Sequence, residues 1–237
     1  MLSVGRRKKR SSIIGSYPEK VILKNKFYPK GLTENQIYNY YISQKTSILS
    51  QVKNRELMFF LQLEDEQIVK RKDSKGKYLK LTPNNYEQLI HGRVLSIHGT
   101  MRKNEEFGIV DIDSDNFRRS RRTTAKIYDY LKQSSKIKKI VIRYTGKDSF
   151  HLICYFRNKK HIDNIRILLK KFLIHKKSKQ IDVSFSRSPG KTNLDLSPNK
   201  FRGGFILSNA LSVMGLRCLE VSRGELMNFQ KSHAIIG

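Results

Sequence analysis

Acidic residues are scarce in this 237-residue chain: 20 Asp and Glu stand against 48 Lys and Arg, a formal net charge of +28. That imbalance disfavours a cationic partner. Cysteine is nearly absent as well. Cys154 and Cys218 are too few for a four-cysteine zinc site or a disulfide framework, so zinc is not expected and a reduced intracellular setting is. No run is long and apolar enough to span a bilayer. No apolar stretch follows the basic N-terminus, so no secretory leader and no membrane partner are expected. Several catalytic signatures are missing too. Ser188-Pro189-Gly190-Lys191-Thr192 ends like a phosphate-binding loop, but position 185, where the loop's first glycine belongs, is Phe. Neither a His-Glu-x-x-His helix nor a Gly-x-Ser-x-Gly elbow occurs, and Cys154 sits in an apolar run that predicts burial rather than nucleophilic attack.

What the chain has in abundance is positive charge, which favours a polyanion because neutralised phosphates release their counterions. Coding bias toward Lys, Asn and Ile is the bland alternative. Residues 1–16, with Arg6-Arg7-Lys8-Lys9-Arg10, read as a flexible basic tail, and 17–237 as one catalytic domain. Strand-like and helix-like segments mix without regular alternation, which predicts an α+β fold. Thr33 and Gln36 form a capping-box pattern ahead of a helix bearing Ile37, Tyr40, Tyr41 and Ile48, the tyrosines read as core. Leu57 to Leu63 and Gln67 to Lys70 read as paired strands, Pro83 to Ile90 as a short helix, and Arg93 to His98 as a strand. Arg118 to Arg122 is a basic segment continued by a helix over Thr123 to Leu131. Lys139 to Tyr144 and Phe150 to Phe156 read as a hairpin, Ile162 to Ile174 and Glu225 to Phe229 as helical.

The chemistry centres on Phe107-Gly108-Ile109-Val110-Asp111-Ile112-Asp113, a strand ending in two acids. Residues two apart share a face, so Asp111 and Asp113 would present adjacent carboxylates suited to divalent cations. Asp115 falls past the strand end and reads as a turn residue. A third acid should come from elsewhere: Asp182, in Gln180-Ile181-Asp182-Val183, is preferred, with Asp195 the rival. In the hairpin, Ser149 and His151 are again two apart, next to a turn carrying Thr145, Gly146 and Lys147; hydroxyl, imidazole, ammonium and turn amides can all bind phosphate oxygens. His98 ends the strand before the acids and can line the same cleft. Arg202, before Gly203-Gly204, offers a bidentate fork for phosphate. Lys70-Arg71-Lys72, Lys75 and Lys77 form a basic loop able to meet a nucleic-acid backbone.

In this order, Asp111-Ile112-Asp113, Ser149-Phe150-His151 and Ile181-Asp182 resemble the three motifs of the archaeo-eukaryotic primase superfamily: Asp-x-Asp, Ser-x-His and a later apolar-Asp. Within it the chain is most similar to the polymerase domain of bacterial and archaeal ligase D. The likeness extends to Lys20-Val21-Ile22-Leu23, Gly31-Leu32-Thr33, Tyr40-Tyr41, Lys53-Asn54-Arg55, Leu95-Ser96-Ile97-His98, Lys191-Thr192 and Phe201-Arg202. The resemblance implies two sheet-containing lobes around a central cleft. It implies two Mn2+ or Mg2+ ions on Asp111, Asp113 and Asp182, and nucleotide contacts from His98, Thr145, Lys147, Ser149, His151 and Arg202. It also implies DNA contacts from Lys20, Lys26, Lys53, Arg55, Lys70 and Arg71, with Lys20 at a position that grips a 5′-phosphate. Departures are Glu34 where the family has lysine after Thr33, a lysine displaced by one place in the 144–149 turn, and Met58-Phe59-Phe60 in place of a basic run.

The expected activity is template-directed nucleotidyl transfer from an NTP or dNTP to a primer end by two-metal chemistry, in gap filling during end joining. A DNA ligase and an end-binding protein would be partners. The alternatives are a replicative primase and a non-catalytic basic nucleic-acid-binding module. Residence would be cytoplasmic, at the nucleoid, in a prokaryote, or nuclear in a eukaryote.

Overall fold

A computed structural model of the chain describes residues 20–24, 29–63, 66–91, 93–158, 164–176, 181–182 and 192–236, with 20–24, 29, 164, 175–176 and 181–182 described by backbone alone. The basic tail, Lys26 and the 183–191 segment with Lys191 lie outside these residues.

Two β-sheets organise the molecule. The first takes β1 (Lys20–Lys24), β2 (Leu57–Gln62), β3 (Glu66–Lys70), β4 (Val94–Thr100) and β10 (Gly204–Ile206) in the order β1-β3-β2-β4-β10. The second takes β5 (Phe107–Ser114), β6 (Ile137–Tyr144), β7 (Phe150–Phe156), β8 (Ile181–Asp182), β9 (Thr192–Asp195) and β11 (Leu219–Val221) in the order β11-β6-β7-β5-β9-β8. All pairings are antiparallel except β8 with β9. Together with the helices this is the α+β architecture expected from sequence.

Several helices form near where the sequence signals them, though the one expected to run from Ile37 to Ile48 is split in two. Thr33 caps α1 (Glu34–Ser43): its Oγ1 accepts from the Gln36 amide at 3.2 Å, while Gln36 Oε1 accepts from the Thr33 amide at 2.9 Å. The following α2 is Lys45–Val52 and the short α3 is Tyr86–Leu89. Tyr41 is wholly buried and donates to the Leu95 carbonyl at 2.9 Å, so this tyrosine is core as expected. Helix α4 (Phe117–Lys132) starts earlier than its apolar spacing suggested. Asn116 accepts from the Arg119 amide at 2.9 Å, which draws the Arg118–Arg122 run into the first turns; Ser120, Thr124, Ile127 and Leu131 make the buried stripe. Helix α5 is Asn164–Lys176. The expected helix at Glu225–Phe229 is instead a series of turns over residues 223–228. There the Ser222 hydroxyl and Glu225 carboxylate satisfy each other's backbone amides and so hold a tight local bend.

The two faces of the second sheet have different neighbours. Val110, Ile112, Leu152 and Cys154 face a core shared with Ile127 and Leu131 of α4 and Leu169 and Phe172 of α5. Phe107, Ile109 and Ile153 face the other way, into a core shared with Ile97, Phe205 and Leu207 of the first sheet's side. The thiols of Cys154 and Cys218 are buried and pushed up to about 12 by that burial, which leaves them protonated and unreactive. No helix among the described residues is long and apolar enough to cross a membrane.

Candidate active site

Strand β5 places the carboxylates by simple alternation. Phe107 and Ile109 lie on the face that packs toward the first sheet, and Asp111 and Asp113 continue the same face beyond that core. Neighbouring strands add to the row. Asp111 stands opposite His151 on one side and Asp195 on the other, and His151 in turn stands opposite Arg143. Asp113 stands opposite Asn193, and the β8 backbone sets Asp182 opposite Asn193, on the same rung.

The acids are differently furnished. Ser149 Oγ donates to Asp113 Oδ1 at 2.5 Å, fixing that carboxylate. His151 Nε2 stays 3.6 Å from Asp111 Oδ1, outside good hydrogen-bond range. Asp111 Oδ1 and His151 Nδ1 are both buried with no hydrogen-bond partner. A buried carboxylate oxygen without a donor is costly unless something else meets it. With a second carboxylate on the same face, the all-oxygen donor set fits a hard divalent cation. No group of three His, Cys, Asp or Glu side chains suited to a metal occurs among the described residues. A third acid from the sequence reading would have to be Asp182 or Asp195. Both oxygens of Asp195 are already engaged, Oδ1 accepting from the Ser197 amide at 2.7 Å and Oδ2 from Ser197 Oγ at 2.6 Å. It starts the 3-10 turn Ser197–Asn199, a local role.

The 144–149 turn that carries Ser149 is tightly built. Thr145 donates to the Ser149 carbonyl from both its amide (3.1 Å) and its hydroxyl (3.0 Å), and Tyr144 OH donates to the Lys147 carbonyl at 2.7 Å. Gly146 has φ +86°, and a Cβ there would run into Ser212 and the Leu216 carbonyl, so only glycine fits. Lys147 is exposed at the tip.

From the first sheet, His98 of β4 lies between Met58 and Ile206 and stacks on Phe60 with ring centroids 4.3 Å apart. Burial, then the neighbouring charges of His151 and Arg71, lower its pKa to about 3, so it is a neutral imidazole at neutral pH. The effect of His151 on His98 reflects the closeness of two histidines from different sheets. Behind them Arg143 ties the sheets, donating to the Ile206 carbonyl at 3.0 Å and to Glu220 at 3.1 Å.

Other expected contacts are placed elsewhere. Arg55 does not face solvent: it is 5% exposed, donates to the Thr100 carbonyl and to Glu105 (2.6 Å each), and lies against Phe107 and Phe205. Its expected DNA contact is therefore corrected to a core ion pair. Lys70 is likewise buried in β3, where burial lowers its pKa against a smaller opposing pull from Asp73; it too is corrected to a strand-interior residue. Arg202 forks onto Glu56 (2.7 and 3.0 Å), so that fork is occupied. Arg71 is half-buried and Lys53 exposed. Lys20 is described by its backbone alone. Sequence reading did not single out Glu56, Glu105, Arg143 or Asn199. Each acts on a partner distant in sequence, and nothing local marks them.

No protein-family profile matches the sequence, and no curated protein is similar to it in sequence. Among solved structures, the polymerase domain from Mycobacterium tuberculosis ligase D, in complex with DNA, superposes with a TM-score of 0.67 over 87% of this chain and 88% of that one, at 11% sequence identity. The chain therefore has the fold of the ligase D polymerase domain, and Asp111 and Asp113 stand at the end of its β5.

Proposed function

We propose that this chain is a template-directed nucleotidyltransferase that extends primer ends or fills gaps, with end joining of broken DNA as its setting. The observation that carries the reading is the pair Asp111 and Asp113 on one strand face, with a buried carboxylate oxygen lacking any donor, in a chain of net charge +28. The shared fold supports it.

Asp111 and Asp113, with Asp182 as the preferred third acid, would hold Mg2+ or Mn2+. When bound, such ions neutralise triphosphate charge and favour the attacking hydroxyl. The protein's own groups do the rest. Ser149 keeps Asp113 from rotating away. His151, its Nδ1 unpaired, is free to hydrogen-bond a phosphate oxygen, and neutral His98 does the same without competing for cations. Lys147 supplies positive potential from the turn tip. Of the DNA contacts implied by resemblance, Lys53 and Arg71 keep the accessibility the role needs; Lys20 and Lys26 remain part of the proposal, as do a ligase and an end-binding protein.

The test is extension of a primed template with NTPs or dNTPs, in Mg2+ and in Mn2+, against an unprimed single strand. Extension of the primed template alone is expected. Synthesis on the unprimed strand would favour a replicative primase, and no incorporation with either ion would contradict the reading.

A further inference from the structure

Phe201 is the one aromatic among the strongly exposed large apolar side chains of the described residues, at 54% exposure. A single exposed phenylalanine is ordinary; its neighbours are not. Lys103 Nζ lies 5.6 Å and Arg202 Cζ 4.9 Å from its ring centre. The same Arg202 lies 4.0 Å from the ring centre of Tyr78, which Lys72 Nζ approaches to 5.1 Å from its own position. Cations and rings thus alternate along Phe201, Arg202, Tyr78 and Lys72, with Lys103 beside the outer ring.

This arrangement is built rather than fortuitous. Arg202 adopts φ +61°, a backbone conformation that non-glycine residues avoid, and the Glu56 fork holds its guanidinium in place. The Arg202 amide donates to the Met101 carbonyl at 3.0 Å, and the Met101 amide to the Gly203 carbonyl at 2.8 Å. Just before it, Asn199 grips β5: its Oδ1 accepts from the Ile109 amide and its Nδ2 donates to the Ile109 carbonyl, each at 2.6 Å. The segment is therefore fastened to β5 two residues from Asp111 and to Met101, just past the end of β4, three residues from His98. At about 3.3 Å per strand residue, these anchors lie roughly 7–10 Å along the strands from the carboxylates and imidazoles, a span of about two or three stacked nucleotides.

We propose that Phe201, backed by this cation–aromatic ladder, is a stacking platform for an unpaired base of single-stranded nucleic acid, with Lys103 and Lys72 placed for the flanking phosphates. An exposed π-face beside fixed cations suits any base and reads no sequence. The proposal extends the nucleic-acid reading of the cleft, and its test needs no catalysis.

The sequence contains no tryptophan, so Phe201→Trp creates a single fluorescent reporter at an exposed position. Binding of a short oligodeoxythymidylate, followed independently by anisotropy, should quench that emission. An abasic oligonucleotide of equal length and charge should bind without quenching it. Phe201→Leu should weaken oligothymidylate binding roughly 5- to 100-fold, the contribution of about one stacked base. The slope of affinity against log salt should not change, because no charge is lost. Binding without quenching, equal quenching by the abasic strand, quenching by free dTTP at matched base concentration, or full affinity in Phe201→Leu would each overturn the platform while leaving the nucleic-acid reading intact. Failure of any oligonucleotide to bind would overturn both.

Discussion

Two groups of charged side chains are built against the sheets, one buried and one half-buried, and the protein completes only the first. Beside the first sheet, Glu105 is 2% exposed and receives Arg55 at 2.6 Å and Arg102 at 2.9 Å. Burial alone would raise its carboxyl pKa, but hydrogen bonds from Arg102 and Arg55 more than reverse this and hold it below the usual range. On the second sheet, Asp111, Asp113 and His151 share a face. There a serine holds one carboxylate, the other has an oxygen with no donor, and the histidine has an unpaired ring nitrogen. A buried charge cluster that closes on itself is scaffold. One left open is poised for a ligand. Arg55 and Asp111 look equally promising as isolated charged residues in sequence, and only their partners separate them.

The contrast can be broken from its closed side first. Glu105→Ala leaves Arg55 buried and uncompensated, and should cost about 3–5 kcal/mol of stability by denaturant titration; a loss near zero would mean that the cluster is not scaffold. The pH dependence has a definite sign. A carboxyl with lowered pKa stabilises the fold above its unfolded value of 4.5 and loses that contribution as pH falls through the folded value. Glu105→Gln should therefore flatten the acid limb of the stability curve.

His98 gives a differently placed effect. Its pKa falls from 6.5 to about 3 in the fold, so the unfolded chain binds a proton that the folded one refuses. Stability is then full above about pH 6.5 and declines as pH drops toward 3. In the intact protein the His98 ring resonances should stay unshifted by NMR down to about pH 5. His98→Asn should remove this part of the decline, while a His98 that titrates normally near neutrality would place it outside the low-dielectric space between the sheets.

Much of this was legible in the chain because it depends on local period. The alternation Phe107, Ile109, Asp111, Asp113 set the strand and its face, the Thr33–Gln36 box set a helix start, and the turn at Gly146 set the hairpin. What was not legible depends on partners far apart in sequence. Nothing near Arg55 announces Glu105, 50 residues on, and nothing near Asp195 announces that it faces Asp111 yet spends its oxygens on Ser197. Arg202 is likewise read correctly as a fork, but its acceptor, Glu56, is 146 residues away.

The open group on the second sheet is the one proposed to be catalytic. Its most direct test is primer extension by Asp111→Asn/Asp113→Asn, with DNA affinity measured in parallel. Removing two carboxylates should lower extension by at least about 10^3-fold, the several kcal/mol that acids holding divalent ions would supply. DNA affinity should be kept or increased, because the change adds net positive charge. Extension within about tenfold of the unaltered protein would contradict the account.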